Sequence, residues 1–460
     1  TMPSQFRAQR YAQALGALVL LCAMLLGVAG FTYTPATFAA SSCPADKGHL
    51  VPWQGSHSFL VGANVPWQNG GFGADFATVE SWNQHTYSSA ATEAMFAELR
   101  ASGANSVRWW LFADGRGAPE VAYNLVTGFD ATTLPKMADA IRLAEKHDVY
   151  LTFTLWSFDM LFPAEGPAGG RRELITDPTK RKAFIDQALV PMLRYPIPGT
   201  SYTVGTHPNV ISWEVINEPE WGVRESGSVH GSIREPVSLA EMQRFIAETA
   251  GAIHRNSNQQ VTVGSAAMKW NSDVIPGAAG NWYRDAALQQ YDAEGALDYY
   301  QLHFYPWMNG DGSWSYSPLE VSWQQGGFDK PVVVGEFPAN AGGTGTSVNG
   351  LLESIFGNCY AGAWSWAYER VDDNGGWADT APGMAQFTAA HPDEEASGGN
   401  PAPPSPALTV VPPSPTAAPP AGAATVLYDD RIAAGWQDWS WGAKTNPQAS
   451  VAGQFGTASL

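Results

Sequence analysis

Val210-Ile211-Ser212-Trp213-Glu214-Val215-Ile216-Asn217-Glu218-Pro219 is a short run rich in β-branched and aromatic residues that stops on a polar turn marked by proline. Such a run is a buried strand feeding a loop. Seven further runs of this kind lie at residues 59–65, 106–112, 150–155, 261–264, 299–304, 332–335 and 362–366. Between them stand segments of helical periodicity, among them residues 92–101, 134–146, 181–193 and 239–255. Strands alternating with helices make parallel βα units, so the fold class is α/β. A doubly wound open sheet would carry a Gly-rich phosphate turn after its first strand. Here that place reads Asn64-Val65-Pro66-Trp67-Gln68-Asn69-Gly70-Gly71. The expectation is a closed (β/α)8 TIM barrel over residues 41–390, with its functional groups at the C-terminal ends of the strands.

The formal net charge of -18, from 25 Lys plus Arg against 43 Asp plus Glu, repels polyanions and leaves no basic stripe for phosphates. Nucleic acid is therefore not an expected partner. The 19 Trp, 16 Tyr and 20 Phe are enough to fill a large core, yet several fall in segments otherwise rich in Gly, Asn, Ser and Asp. Aromatics in such segments are placed for binding. The 9 His show no paired metal-ligand spacing and the cysteines are too few for a thiolate cage, so neither metal nor cofactor is expected. No Gly-x-Ser-x-Gly elbow follows a strand, which argues against a serine hydrolase.

Residues 1–40 are read as a secretory signal peptide: Arg7 and Arg10 precede an apolar run over residues 14–28, and Thr37-Phe38-Ala39-Ala40-Ser41 supplies the small residues of a cleavage site. An uncleaved membrane anchor is the alternative. Cys22 would leave with the signal, and Cys43 and Cys359 would remain. Cys43 precedes the first strand and Cys359 the last, which are neighbours in a closed barrel, so a disulfide is reasonable; two unrelated buried thiols are the other reading. Residues 391–424 form a Pro/Ala/Ser-rich linker. Residues 425–460, with Tyr428, Trp436, Trp439 and Trp441, look like the truncated start of a carbohydrate-binding module.

Two glutamates stand where strands run out. Glu218 ends the fourth, and Glu336 ends the seventh in Val332-Val333-Val334-Gly335-Glu336-Phe337. Cleavage of an acetal with retention needs two carboxyl groups about 5 to 5.5 Å apart, one protonated and one ionised. Over residues 55–390 the chain resembles the clan A glycoside hydrolases, family 5 above all, whose barrels carry an acid/base Glu within Asn-Glu-Pro after strand four and a nucleophilic Glu after strand seven. The resemblance implies Glu218 as acid/base, Glu336 as nucleophile and Asn217 as partner of a sugar 2-hydroxyl. It also implies substrate-binding roles for Arg108, His303, Tyr305 and Trp366. Arg108 and Tyr305 would hold Glu336 ionised. An apolar wall from Trp213 or Trp221 would raise Glu218.

Bland alternatives stand beside these. Arg108 can be the structural partner of Glu214, and His303 a satisfied core histidine. Of Trp364 and Trp366, which alternate across Ser365, one faces inward and the other packs under a helix. Trp67, Trp221, Trp307, Trp314 and Tyr316 fall in loops at the same end, as subsite walls or as packing for their own loops. The chain departs from family 5 at the end of strand three, where many members carry His and this sequence has Trp156 or Ser157. Substrate preference is therefore not carried over from the His-bearing subfamilies. What the resemblance implies is a glycanase-like enzyme on a β-1,4-glucan or β-mannan, with endo and exo action both left open; a monomer is expected. A non-catalytic carbohydrate-binding barrel and a transglycosylase are the competing readings.

Overall fold

The computed structural model describes residues 43–44, 48–54, 56–68, 73–77, 87–163, 171–309 and 316–392. The signal-peptide, linker and module readings, and Trp314, lie outside these residues. Eight strands form a closed, wholly parallel barrel. In chain order they are β1 Leu60–Val65, β2 Ser106–Ala113, β3 Tyr150–Ser157, β4 Val210–Asn217, β5 Gln260–Ser265, β6 Tyr300–His303, β7 Val332–Pro338 and β8 Gly362–Trp366. Each expected strand is present, and the ends differ by up to three residues. The fold is a (β/α)8 TIM barrel.

The helices begin where the sequence provides caps. Ser88 accepts from the Ala91 N–H at the start of Ser89–Ala101, and Ser238 with Glu241 closes a capping box on Leu239–His254. Asp177 caps Pro178–Phe184, which runs on through one π turn at Ile185–Leu189. The apolar faces of these helices meet the outward residues of the strands in one continuous core.

The N-terminal mouth of the barrel is plugged. A hairpin of Val51–Trp53 and Ser56–Ser58 sets Val51 and Trp53 against Leu60, Ile211, Tyr299, Val333 and Trp364, and the Trp53 indole donates to the Pro208 carbonyl at 2.9 Å. Trp364 is thus the inward, buried member of its pair, with its indole on Ser106 Oγ. Cys43 and Cys359 form a disulfide that ties the chain ahead of this hairpin to the turn before β8.

The upper half of the interior is polar, and small residues make room for it. A Cβ on Gly264 would lie 2.5 Å from Glu214 Oε1, and one on Gly335 only 1.9 Å from Gln301 Oε1. Near this end the strand alternation breaks. The ladder shifts register between Glu214 and Asn217 on β4, and between Val334 and Phe337 on β7. Such irregularities re-aim side chains, and here one precedes Glu218 and the other spans Glu336.

Candidate active site

Arg108, fully buried on β2, organises the site. Its Nε and Nη2 grip both oxygens of Glu214 at 2.5 and 2.6 Å, Nη2 also donates to Asn217 Oδ1 at 2.7 Å, and Nη1 donates to Asn64 Oδ1 at 2.7 Å and Glu336 Oε1 at 2.8 Å. These contacts use all five guanidinium N–H groups. Pairing with Glu214 and contact with Glu336 were alternatives in the sequence, and the structure contains both.

Glu336 has a second donor in the Tyr305 hydroxyl, at 2.7 Å from Oε2. Burial still pushes its pKa above the ordinary carboxylate range, while His303, Arg108 and Tyr305 pull it back and the charge of Glu218 adds to the rise. This corrects the expectation of a simply low value: burial outweighs the donors.

Glu218 takes a left-handed backbone, φ 47° and ψ 48°, just past the end of β4. Its N–H donates to the Gly264 carbonyl at 2.5 Å. Its side chain accepts from the Trp221 indole at 2.9 Å and meets His303 Nδ1 at 2.8 Å. Burial raises its pKa to about 7, against the lowering effect of the Trp221 hydrogen bond and Arg108. The wall expected from Trp213 is absent: that ring stacks on Phe153 behind the strand, with its indole on Gln259.

Burial lowers the His303 pKa to about 4, so the ring between the two carboxyl groups is neutral, and its Nε2 is buried without a partner. One carboxylate oxygen from each of Glu218 and Glu336 and a ring nitrogen of His303 all lie within 4.8 Å of one another. Such a trio is close enough to hold a cation. However, Arg108 and Tyr305 already occupy Glu336, and a second positive charge beside a buried guanidinium is disfavoured.

Glu218, Glu336, Asn217, Tyr305, Trp221, Trp307 and Trp366 line one cleft of about 260 Å³. Trp110, Phe158, Asp372 and Asn374 complete it, and the sequence reading did not single them out. Asp372 accepts from the Trp366 indole at 3.0 Å, and Trp110 packs on the Trp366 ring. These residues lack a motif of their own; only Trp110, two residues beyond Arg108 on the same strand face, could have been found by alternation.

Three aromatic residues considered for the site, Trp156, Trp67 and Tyr316, do not line the cleft. Trp156 is 1 % exposed and packs against Phe112 and Phe184, so it belongs to the core. Ser157 stands toward the site in its place, at 3.4 Å from Asn217 Nδ2. Trp67 is half-buried and does not line the cleft, and Tyr316 binds the Pro276 carbonyl.

An eight-stranded parallel barrel whose fourth and seventh strands each end in a glutamate at one shared cleft defines a clan A glycoside hydrolase. No protein-family model matches the chain. It is 30 % identical over 358 residues, 73 % of this chain and 92 % of the relative, to a mannan endo-1,4-β-mannosidase of Mytilus edulis. Among solved structures, an endo-1,4-β-mannanase of Eisenia fetida aligns at TM-score 0.62 and 30 % identity, covering 73 % of this chain and 91 % of that one. The β-mannanase of Mytilus edulis aligns at TM-score 0.64 and 29 % identity, covering 76 % and 96 %. The chain belongs to the endo-1,4-β-mannanase family of these enzymes.

Proposed function

We propose that the chain hydrolyses internal β-1,4 linkages of mannan with retention of anomeric configuration, Glu336 as nucleophile and Glu218 as acid and then base. The observation that carries this reading is that one oxygen of each carboxyl group lies within 4.8 Å of the other across the shared cleft. A retaining pair stands at about 5 to 5.5 Å, whereas an inverting pair leaves about 6.5 to 9.5 Å for a water. Mannan rather than glucan follows from the named activities of the relatives.

A mannosyl unit lying on Trp366 presents its anomeric carbon to Glu336. Glu218, neutral below about pH 7, gives its proton to the departing oxygen as the Glu336–sugar bond forms. The Glu218 carboxylate then takes a proton from water, which attacks the same carbon and frees Glu336. Asn217 has its oxygen committed to Arg108 and one N–H directed at Ser157, which leaves its other N–H for a sugar hydroxyl. Trp221 and the 58 % exposed Trp307, ring centroids 6.4 Å apart, stand on the Glu218 side and receive the leaving chain.

Anomeric analysis of variants tests the roles. Glu336→Ala with azide should yield the inverted glycosyl azide, and Glu218→Ala the retained one, with losses on mannan of about 10² to 10⁴ for the acid. The opposite pattern would reverse the assignment. Secretion is part of the same proposal: residues 1–40 have signal-peptide character, and the Cys43–Cys359 disulfide supports a compartment outside the reducing cytosol.

A further inference from the structure

Two residues beyond Glu218 lies a second glutamate that the mechanism does not use. Glu220 is 0 % exposed, yet both its oxygens are engaged. Oε1 accepts from Ser265 Oγ at 2.7 Å and from the Tyr283 hydroxyl, and Oε2 accepts from the Ala266 N–H at 3.0 Å. Ser265 and Ala266 are the last residue of β5 and the one after it, so this carboxyl bolts the Pro219–Gly222 turn to the next strand of the barrel. Glu218 sits between β4 and that turn in a left-handed conformation, which a non-glycine residue adopts only against steric resistance. An unfavourable conformation persists only where its surroundings impose it. The Glu218 N–H to Gly264 bond fixes the front of the turn, and Glu220 fixes its back.

We infer that Glu220 is a positioning residue for proton transfer: its buried carboxyl holds Glu218 where it can protonate the leaving oxygen. The inference rests on Glu218 being the acid/base. Burial raises Glu220 to about 7, but the tether does not depend on its charge. Ser265 Oγ has a second acceptor, the Ala267 carbonyl at 3.2 Å. A protonated Glu220 can therefore donate to Ser265 while Ser265 donates to Ala267, and an amide can do the same with the Tyr283 hydroxyl turned to accept its second N–H. An apolar side chain cannot.

Glu220→Met removes the tether at similar length, and Glu220→Gln keeps it. Each is compared with wild type and Glu218→Gln by kcat/KM, on mannooligosaccharide and on a 2,4-dinitrophenyl β-mannoside whose leaving group needs no proton. Glu220→Met should lose about 10- to 100-fold on the oligosaccharide, the scale of a small misplacement of a catalytic group, and under about 3-fold on the aryl substrate. Glu220→Gln should stay within about 3-fold of wild type on both. Equal losses of Glu220→Met on the two substrates, or none on either, would overturn the inference. If Glu220→Met does not fold, Tyr283→Phe removes one donor and should show the same split at several-fold; its absence there counts against the inference equally. Glu218→Gln is the reference. If it too lacks the split, the acid/base assignment has failed and takes this inference with it; if it alone shows the split, only the role of Glu220 is wrong.

Discussion

Arg108 carries two jobs in one side chain, and they separate under mutation. Its bidentate grip on Glu214 keeps a buried carboxylate paired, while Nη1 reaches Glu336. Arg108→Ala leaves Glu214 buried and uncompensated, so a loss of about 3–5 kcal/mol in unfolding free energy is expected by denaturant titration. Arg108→Lys retains a charge but cannot form the planar fork, so it should fold and lose activity by more than tenfold. A fully active Arg108→Lys would mean that the contact with Glu336 is dispensable. As the proposed acid, Glu218 should set the alkaline side of the pH profile: its proton is lost as pH rises through about 7, so kcat/KM is expected to fall above that value. On the acid side activity should fall as Glu336, the proposed nucleophile, becomes protonated, and the rise that burial gives Glu336 should move this limb upward, narrowing the bell. Glu218→Gln should abolish the alkaline limb and leave the acid one, as a pH series of kcat/KM can establish.

At the scale of elements, the ends of the strands matter more than their middles. Glu218 and Glu336 were legible because each closes a run of β character with a turn residue beside it, and their joint place at strands four and seven needed only a strand count. Trp156 was not legible, because its place depends on where alternation fails. Trp156 pairs with Ile216 and Ser157 with Asn217, so consecutive residues on both strands stay in register. Yet Asn217, three residues past Glu214, meets the same guanidinium from inside the barrel, and an odd step means one residue has been re-aimed. No composition signal marks such a step, and Ser157 rather than Trp156 comes to face the site. Gly335 permits the corresponding break on β7. Gly335→Ala should collide with Gln301 and cost about 1–3 kcal/mol, read by thermal or chemical unfolding, with activity falling further as Glu336 shifts. An alanine variant as stable and active as wild type would show that this close approach is relaxed at no cost.

Across the whole molecule, several carboxyl groups are buried against their preference for water. Burial takes Asp75 to about 8 and both Glu218 and Glu220 to about 7. A carboxyl whose pKa is higher folded than unfolded makes the native state bind more protons, so stability falls as pH rises from the unfolded value near 4 toward the folded one. Melting temperature should therefore decline between about pH 5 and 8, and Asp75→Asn should flatten the upper part of that decline; an unchanged slope would place the titration elsewhere. The barrel was readable at this scale from its alternating strands and helices, whereas the adjacency of first and last strands left the Cys43–Cys359 link as one of two open readings. The polar floor of Arg108, Glu214, Gln301 and Asn64 was less so, because four buried polar side chains on four strands meet only once the barrel closes. That closure brings residues 118 positions apart to a single sugar-sized gap, and the claim is tested by trapping the enzyme with a 2-deoxy-2-fluoro-β-mannosyl fluoride and mapping the labelled peptide. The label should sit on Glu336, with Glu218 unmodified; a label on any other residue, or turnover of oligosaccharide to an inverted first product with none, would contradict the account.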